Sequence, residues 1–146
     1  MIALVQRVAE ARVTVAGETV GAIGRGLLVL VCAEPADTEG HAGRLVDKLL
    51  KLRIFADESG KMNRSVVDVG GALLIVSQFT LAADVSGGNR PSFTGAAGPA
   101  LGRSLYESVL RRARERHPAV AAGIFGAEMQ VALVNDGPVT IPLRIA

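Results

Sequence analysis

The sequence contains no tryptophan, one tyrosine and four phenylalanines among its 146 residues. Aromatic side chains therefore supply little of the hydrophobic core, which Val, Leu, Ile and Ala must build. Because 49% of the residues are apolar, the composition excludes an intrinsically disordered chain. A chain of this length suits one domain, which we expect to span residues 1–146.

Cysteine is nearly absent as well. Cys32 is the single cysteine, which excludes an internal disulfide, and no Cys/His cluster has the spacing of a zinc site. Its position in the apolar run "LLVLVCAE" predicts a buried core thiol. No cofactor or metal ion is expected.

Long hydrophobic runs and a strong charge of one sign are also missing. No segment approaches about 20 uninterrupted apolar residues, and "MIALVQRVAE" lacks the apolar stretch of a signal peptide. We therefore expect a cytoplasmic protein without a membrane partner. A net charge of only +2 argues against general electrostatic binding to nucleic acid, and we expect no DNA partner.

The first part of the chain shows strand patterns. Val13 and Val15 alternate with polar neighbours, which is the period of a strand. The turn residues "AGE" at 16–18 precede "TVGAIG", and we predict a β-hairpin over residues 2–23. The continuous apolar run at 26–34 predicts a central strand.

Two segments show a helical period instead. Residues 37–52 carry leucines along one stripe, and Asp37 or Thr38 can serve as the N-cap. Residues 99–116 predict a second amphipathic helix. Its expected buried stripe consists of Leu101, Leu105, Val109 and Ala113.

The remaining segments predict strands and one long loop. Residues 53–57 predict a short strand, and residues 72–79 predict a buried strand after a Gly-Gly turn. The Gly/Ser/Pro-rich stretch at 83–99 predicts a long exposed loop. "MQVALVN" and "PVTIPLRI" predict a closing strand pair, with Pro142 on an edge strand or at a bulge. The sum is an α+β domain with a mainly antiparallel, barrel-like β-sheet and two amphipathic helices.

Three patterns that resemble functional motifs have structural explanations. "GAIGRG" at 21–26 precedes a strand, whereas a phosphate-binding loop opens a helix. His41 and His117 lie on or just after predicted helices without a carboxylate pattern, which argues against a catalytic base. The arginines near the end of helix 99–116 favour a solvated face beside the negative end of the helix dipole, with phosphate contacts as the alternative.

The segment "SQFTL" at 77–81 places polar residues at the end of a buried strand, beside the glycine-rich loop. Such groups need hydrogen-bond partners or a pocket. Ser77 and Thr80 are candidate nucleophiles, but the sequence shows no adjacent base and no His/Asp partner. From these residues alone, a functional site and a structural strand end are both open.

The segment "NDGPVT" at 135–140 predicts a hairpin turn when it is taken alone, because Asp-Gly is a strong hairpin signal. The proline that follows complicates this turn. Spacing alone does not decide whether the Gly137–Pro138 bond is cis.

Together these segments resemble the D-aminoacyl-tRNA deacylases. The specific pair is "SQFTLAAD" at 77–84 with "MQVALVNDGPVT" at 129–140, and "RPSF" at 90–93 accompanies it. "MIALVQRV" at the start, "GLLVLV" at 26–31 and "RIFADESGKMN" at 53–63 extend the resemblance along the whole chain. No motif position departs from the family pattern.

The resemblance implies a homodimer with active sites at the subunit interface and an aminoacylated tRNA 3′ end as the substrate. Such enzymes hydrolyse D-aminoacyl-tRNA, and glycine mischarged on tRNA-Ala, but spare L-aminoacyl-tRNA. In the family, a cis Gly-Pro pair of one subunit enters the pocket of the other. Here the pair is Gly137 and Pro138, whose carbonyls would hold the substrate α-amino group and exclude an L side chain. A β-carbon at position 137 would crowd the substrate.

The resemblance also implies roles within the first motif. Ser77, Gln78, Phe79 and Thr80 would line the catalytic pocket, and the Phe79 backbone amide would stabilise the developing oxyanion. Because Thr80 lacks a base, activation of water assisted by the terminal ribose 2′-hydroxyl is preferred to attack by Thr80.

Three further residues are candidates for substrate binding. Met129 and Phe125 would pack around the adenine or the motif, with an ordinary core position as the alternative. Arg7 would bond to the Gly-Pro loop and orient it, with an exposed strand charge as the alternative.

Three functions are compatible with these patterns, and the resemblance favours the first. The protein is a D-aminoacyl-tRNA deacylase, a non-catalytic module that grips an RNA 3′ end, or a Thr80-dependent esterase of another substrate. Turnover of D- but not L-aminoacyl-tRNA would distinguish the first from the others.

Overall fold

A computed structural model describes all residues, 1–146, as a β-sheet with two helices. The elements in chain order are β1 (Ile2–Val15), β2 (Glu18–Ile23), β3 (Gly26–Cys32), α1 (Glu39–Lys51), β4 (Phe55–Ala56), β5 (Met62–Arg64), β6 (Ala72–Ser77), α2 (Pro99–Arg116), β7 (Val120–Ala122) and β8 (Gln130–Arg144). The predicted hairpin, central strand and both helices are confirmed. Neither helix has the length and apolar character that a membrane span requires.

Strand β1 organises the main six-stranded sheet. It pairs antiparallel with β2, β3 and β8, and the sheet continues from β3 through β6 to β7 by parallel pairing. Strand β2 approaches β7 so closely that a β-carbon on Gly21 would lie 2.4 Å from the Ala122 carbonyl oxygen. Glycine permits this approach, and the sheet nearly closes. The fold class, α+β with a mainly antiparallel barrel-like sheet, is confirmed.

The sheet buries side chains on both faces. Leu27 and Val29 of β3 belong to a large cluster that includes the inner faces of α1 and α2. Leu28, between them, belongs to a second cluster with Val8 and Leu74 on the other face. This two-sided burial explains why β3 is apolar without alternation.

Both helices lie where they were predicted, but one residue that was predicted to be buried is exposed. Thr38 is the N-cap of α1, and its backbone N–H donates to His41 Nδ1 at 3.0 Å. Leu105 and Val109 of α2 are buried as predicted, but Leu101 is 36% exposed. Leu101 lies in the first turn of α2, before the stretch that packs on the sheet.

The predicted closing strand pair is wrong. Residues 130–144 form the single strand β8, and both of its halves pair with β1, Thr140 opposite Gln6 and Asn135 opposite Val8. The chain does not reverse at the Asp-Gly step because the long strand β1 offers partners to both apolar runs. Residues 136–139 form an outward bulge instead. Pro142 lies on an edge strand, as predicted, since β8 pairs with β1 alone.

Candidate active site

The buried strand β6 ends earlier than predicted and leads into a tight turn. Its last residue is Ser77, and residues Phe79–Ala82 form one turn of 3-10 helix, so that Phe79 is not part of the strand. The Gln78 backbone N–H still donates to the Val31 carbonyl at 2.8 Å. After that last bond to β3 the chain turns away, which presents Phe79 and Thr80 at the surface.

A cavity of about 660 Å³ opens beside this turn. Apolar residues of β3, α2 and the segment before β8 form much of its wall. Five of the predicted site residues also line it: Ser77, Gln78, Phe79, Phe125 and Met129. Most of the lining residues, 14 of 20, are hydrophobic. An apolar hollow with a few convergent polar groups is the usual form of a small-ligand site.

Aromatic rings border the cavity on two sides. Phe79 and Phe93 pack edge to face, with ring centroids 5.0 Å apart. Phe125 lies 6.0 Å from the Tyr106 ring, and the guanidinium carbon of Arg103 is 4.7 Å from the Phe125 centroid. These flat surfaces suit a stacked base. Phe93 and Tyr106 were not predicted as site residues, although Phe93 is the last residue of the "RPSF" motif.

The titratable side chains on the cavity wall are held neutral. Burial raises the pKa of the Cys32 thiol, whose Sγ lies 3.5 Å from the Phe79 carbonyl oxygen. Burial likewise raises the pKa of Tyr106 to about 12, and the Tyr106 hydroxyl donates to the Ile75 carbonyl at 2.7 Å. Neither group is ionised near pH 7, so neither supplies a general base there.

Thr80 is exposed and is not among the residues that line the cavity. Its hydroxyl accepts a hydrogen bond from the Gln78 amide, which is not a base. No group of three or more His, Cys, Asp and Glu side chains is placed to hold a metal ion.

The bulge in β8 is the second candidate feature. Gly137 and Pro138 are exposed at its tip, and the peptide bond between them is cis, as the resemblance implies. Gly137 has φ +154°, and a β-carbon there would lie 2.7 Å from both Val139 Cγ2 and the Val139 backbone nitrogen. This position therefore favours glycine.

Two side chains fix the base of the bulge. Asn135 Oδ1 accepts the Val139 N–H at 2.8 Å, and Asn135 Nδ2 donates to the Val139 carbonyl at 3.2 Å. Arg7 Nε donates to the Asp136 carbonyl at 2.8 Å, and Arg7 Nη1 donates to the Ile54 carbonyl at 2.7 Å. The prediction that Arg7 bonds to the Gly-Pro loop is confirmed as a contact. Asn135 was not singled out, although it is the first residue of the motif.

The structure does not bring all predicted site residues into one cavity. The cavity walls include neither the bulge residues Gly137 and Pro138 nor Arg7. Within one chain, the SQFT end of β6 and the Gly-Pro bulge are therefore separate features. Each is well defined by its own contacts.

The comparisons with known proteins agree over the full chain. Residues 4–144 match the family model described as D-Tyr-tRNA(Tyr) deacylase. A protein named D-aminoacyl-tRNA deacylase from Variovorax paradoxus (strain S110) is 70% identical over 146 residues, which are 100% of each chain. The protein of the same name from Aromatoleum aromaticum (strain DSM 19018 / LMG 30748 / EbN1) is 72% identical, over 99% of this chain and 95% of the relative.

Solved structures agree as well. The protein named c-Myc DNA Unwinding Element Binding Protein superposes with a TM-score of 0.93 at 46% identity, over 99% of this chain and 98% of the other. A probable eukaryotic D-amino acid tRNA deacylase superposes with a TM-score of 0.84 at 18% identity, over 97% of each chain, and shows the fold alone. By sequence over nearly its whole length and by fold, the chain belongs to the D-Tyr-tRNA(Tyr) deacylase family.

Proposed function

We propose that this protein, as a single domain of residues 1–146, hydrolyses the ester bond of D-aminoacyl-tRNA and spares L-aminoacyl-tRNA. The observation that carries the proposal is the family match over residues 4–144, which includes both the SQFT turn and the Gly-Pro bulge. Glycine mischarged on tRNA-Ala is a further substrate, since glycine has no side chain to exclude.

The terminal adenosine of the tRNA binds in the cavity beside the SQFT turn. Phe125 and Met129 lie on its apolar wall and pack against the base. The backbone N–H of Phe79 stabilises the oxyanion that develops on the ester carbonyl. Ser77 and Gln78 position the aminoacyl end.

Water is the nucleophile in this proposal. It adds to the ester carbonyl carbon, the bond from that carbon to the ribose oxygen breaks, and the products are a free D-amino acid and a tRNA with a restored hydroxyl. The neighbouring ribose 2′-hydroxyl assists the proton transfer. The environment of Thr80 supports this choice, because its hydrogen-bond partner is the Gln78 amide rather than a base.

Chirality is read by the bulge of a second subunit. In a homodimer the exposed Gly137–Pro138 tip of one chain enters the cavity of the other, where its carbonyls bind the substrate α-amino group. A D side chain then points to solvent, and an L side chain meets the backbone. The separation of bulge and cavity within one chain supports an arrangement in which a partner completes the site.

Purified protein incubated with matched D- and L-aminoacyl-tRNA tests the proposal. We expect loss of the D-ester alone. Binding without turnover of either ester would instead indicate a module that grips RNA ends. An enforced monomer that still discriminated D- from L-esters would contradict insertion across the subunit interface.

A further inference from the structure

The surface of the protein carries a basic depression. It has a volume of about 300 Å³ and lies at the C-terminal end of α1, where Arg44, Lys48, Lys51 and Arg53 line it together with Asp47 and Leu52. Four cations against one carboxylate give the lining a net charge of +3, whereas the whole chain carries +2. The lining of this depression is therefore basic, although the chain as a whole is close to neutral.

The two lysines of the depression differ from the arginines of α2 in having no carboxylate partner, whereas Arg44 donates to the oxygen of the C-terminal residue Ala146 at 2.9 Å. Arg111 and Arg112 of α2 lie within 3.6 and 3.2 Å of Glu39, and Arg116 bonds to Asp47. No carboxylate lies within ion-pair distance of Lys48 or Lys51. Both lysines are exposed, so their charges are available to an anionic partner.

Arg7 connects this depression to the bulge. Its guanidinium bonds to the Ile54 carbonyl, directly after Arg53, and to the Asp136 carbonyl at the base of the bulge. Arg7 thus joins the backbone that follows Arg53, a lining residue of the depression, to the base of the bulge.

Given the proposed function, on which this inference rests, we infer that the depression binds backbone phosphates of the tRNA acceptor end. The bulge contacts the aminoacyl group in the partner's cavity, and Lys48 and Lys51 of the same subunit contact the phosphates that lead away from it. Such contacts carry no base specificity and release counterions. The surface therefore accepts many tRNAs, which suits an enzyme selective for the amino acid.

The test compares two variants with the same loss of charge. Lys48→Gln/Lys51→Gln removes two cations from the depression, and Arg111→Gln/Arg114→Gln removes two from the mixed-charge surface of α2. Affinity for 5′-labelled tRNA is measured by fluorescence anisotropy over a series of KCl concentrations. Melting curves establish that both variants are folded.

We expect the lysine variant to bind tRNA about tenfold more weakly at ~0.1 M salt and to reduce the slope of log K against log[salt] by about 2. The arginine variant should keep its affinity within about twofold and keep its slope. Turnover of D-aminoacyl-adenosine, which lacks the acceptor end, should be unchanged in both variants.

Three results would overturn the inference. The first is a lysine variant whose slope of log K against log[salt] equals that of wild type, and the second is an equal loss of tRNA affinity in both variants. The third is a lysine variant that melts at a lower temperature but binds tRNA as tightly as wild type, which would mean that the lysines stabilise the C-terminal end of α1 through its dipole. A different result would contradict the proposed function and not this inference: wild-type protein that binds tRNA with the expected salt dependence but does not hydrolyse D-aminoacyl-tRNA. If wild-type protein had no affinity for tRNA, the inference that this depression binds tRNA phosphates would be wrong.

Discussion

Asn135 bonds to both backbone polar groups of Val139. Its Oδ1 accepts the Val139 N–H at 2.8 Å, and its Nδ2 donates to the Val139 carbonyl at 3.2 Å. The amide side chain thus takes the place of the strand partner that β1 does not supply across the bulge. The side chain of Asn135 thus links the two ends of the bulge that contains the proposed filter residues, Gly137 and Pro138.

Asn135→Ala is expected to lower the free energy of unfolding by about 1–3 kcal/mol, because the buried Val139 loses both partners. D-ester hydrolysis should fall about tenfold as the bulge loosens. Asn135→Asp keeps only the acceptor and should lie between alanine and wild type. Chemical denaturation and steady-state kinetics measure the two effects. An alanine variant with wild-type stability and rate would show that the bulge does not need this brace.

Arg7 braces the same loop from β1, and its side chain is only 15% exposed. Arg7→Ala should reduce kcat/KM for D-aminoacyl-tRNA by about 10- to 100-fold, since a misplaced loop no longer orients the substrate. Arg7→Lys retains the charge but lacks the fork that reaches Ile54 and Asp136 together. We therefore expect little rescue by lysine. Full activity of the lysine variant would mean that charge, rather than geometry, is what Arg7 provides.

Gly137→Ala should abolish D-ester turnover while the protein still folds. The new methyl group would collide with Val139 at 2.7 Å, and the positive φ disfavours any side chain. Gly60→Ala is the matched control, because Gly60 also has positive φ (+79°) but has nothing within 4 Å of its added β-carbon. Initial rates with D-aminoacyl-tRNA should separate the two variants. Equal rates would place the filter elsewhere.

Thr80→Ala should retain D-ester hydrolysis within about tenfold of wild type, because no base activates the hydroxyl. The Gln78 amide loses an acceptor in this variant, which accounts for a modest loss. Single-turnover kinetics give the rate of the chemical step directly. A loss of several orders of magnitude, with covalent label trapped on position 80, would establish the Thr80-dependent esterase instead.

Stability at high pH should depend on Tyr106. Burial raises the pKa of Tyr106 to about 12 in the folded protein, from an ordinary value of 10. The unfolded chain therefore releases this proton first as the pH rises. The contribution of Tyr106 is complete below pH 10 and is lost between pH 10 and 12, by about 2–3 kcal/mol.

The comparison with Tyr106→Phe isolates this effect from the titration of other groups. The variant should lose about 1 kcal/mol at pH 7 with the bond to the Ile75 carbonyl, and its stability should fall less steeply between pH 10 and 12. Parallel stability curves for the two proteins over that interval would mean that the folded tyrosine titrates normally.

Local patterns were sufficient for most of the fold. The periods of 37–52 and 99–116 predicted both helices, and the unbroken apolar run of 26–34 predicted a central strand, because side-chain burial imposes these periods directly. The C-terminal end of β6 was predicted less accurately from the sequence. Phe79 adds an apolar residue after the polar Ser77 and Gln78, which favoured a longer strand. The last bond to β3 is made by Gln78, and only pairing with a neighbouring strand decides where a strand ends.

The sequence by itself determined the helices, the apolar strands and, through paired motifs, the family. The tertiary structure decided the form of "NDGPVT". Asp-Gly favours a reversal, yet β1 runs from Ile2 to Val15 and pairs with the residues on both sides of the motif. Continuous pairing with one long strand outweighed the local turn preference and left residues 136–139 as a bulge. Hydrogen bonds from Asn135 and from Arg7, which is 129 residues away from Asp136 in sequence, hold this bulge in place. Contacts over such distances are set by packing, which no local pattern records.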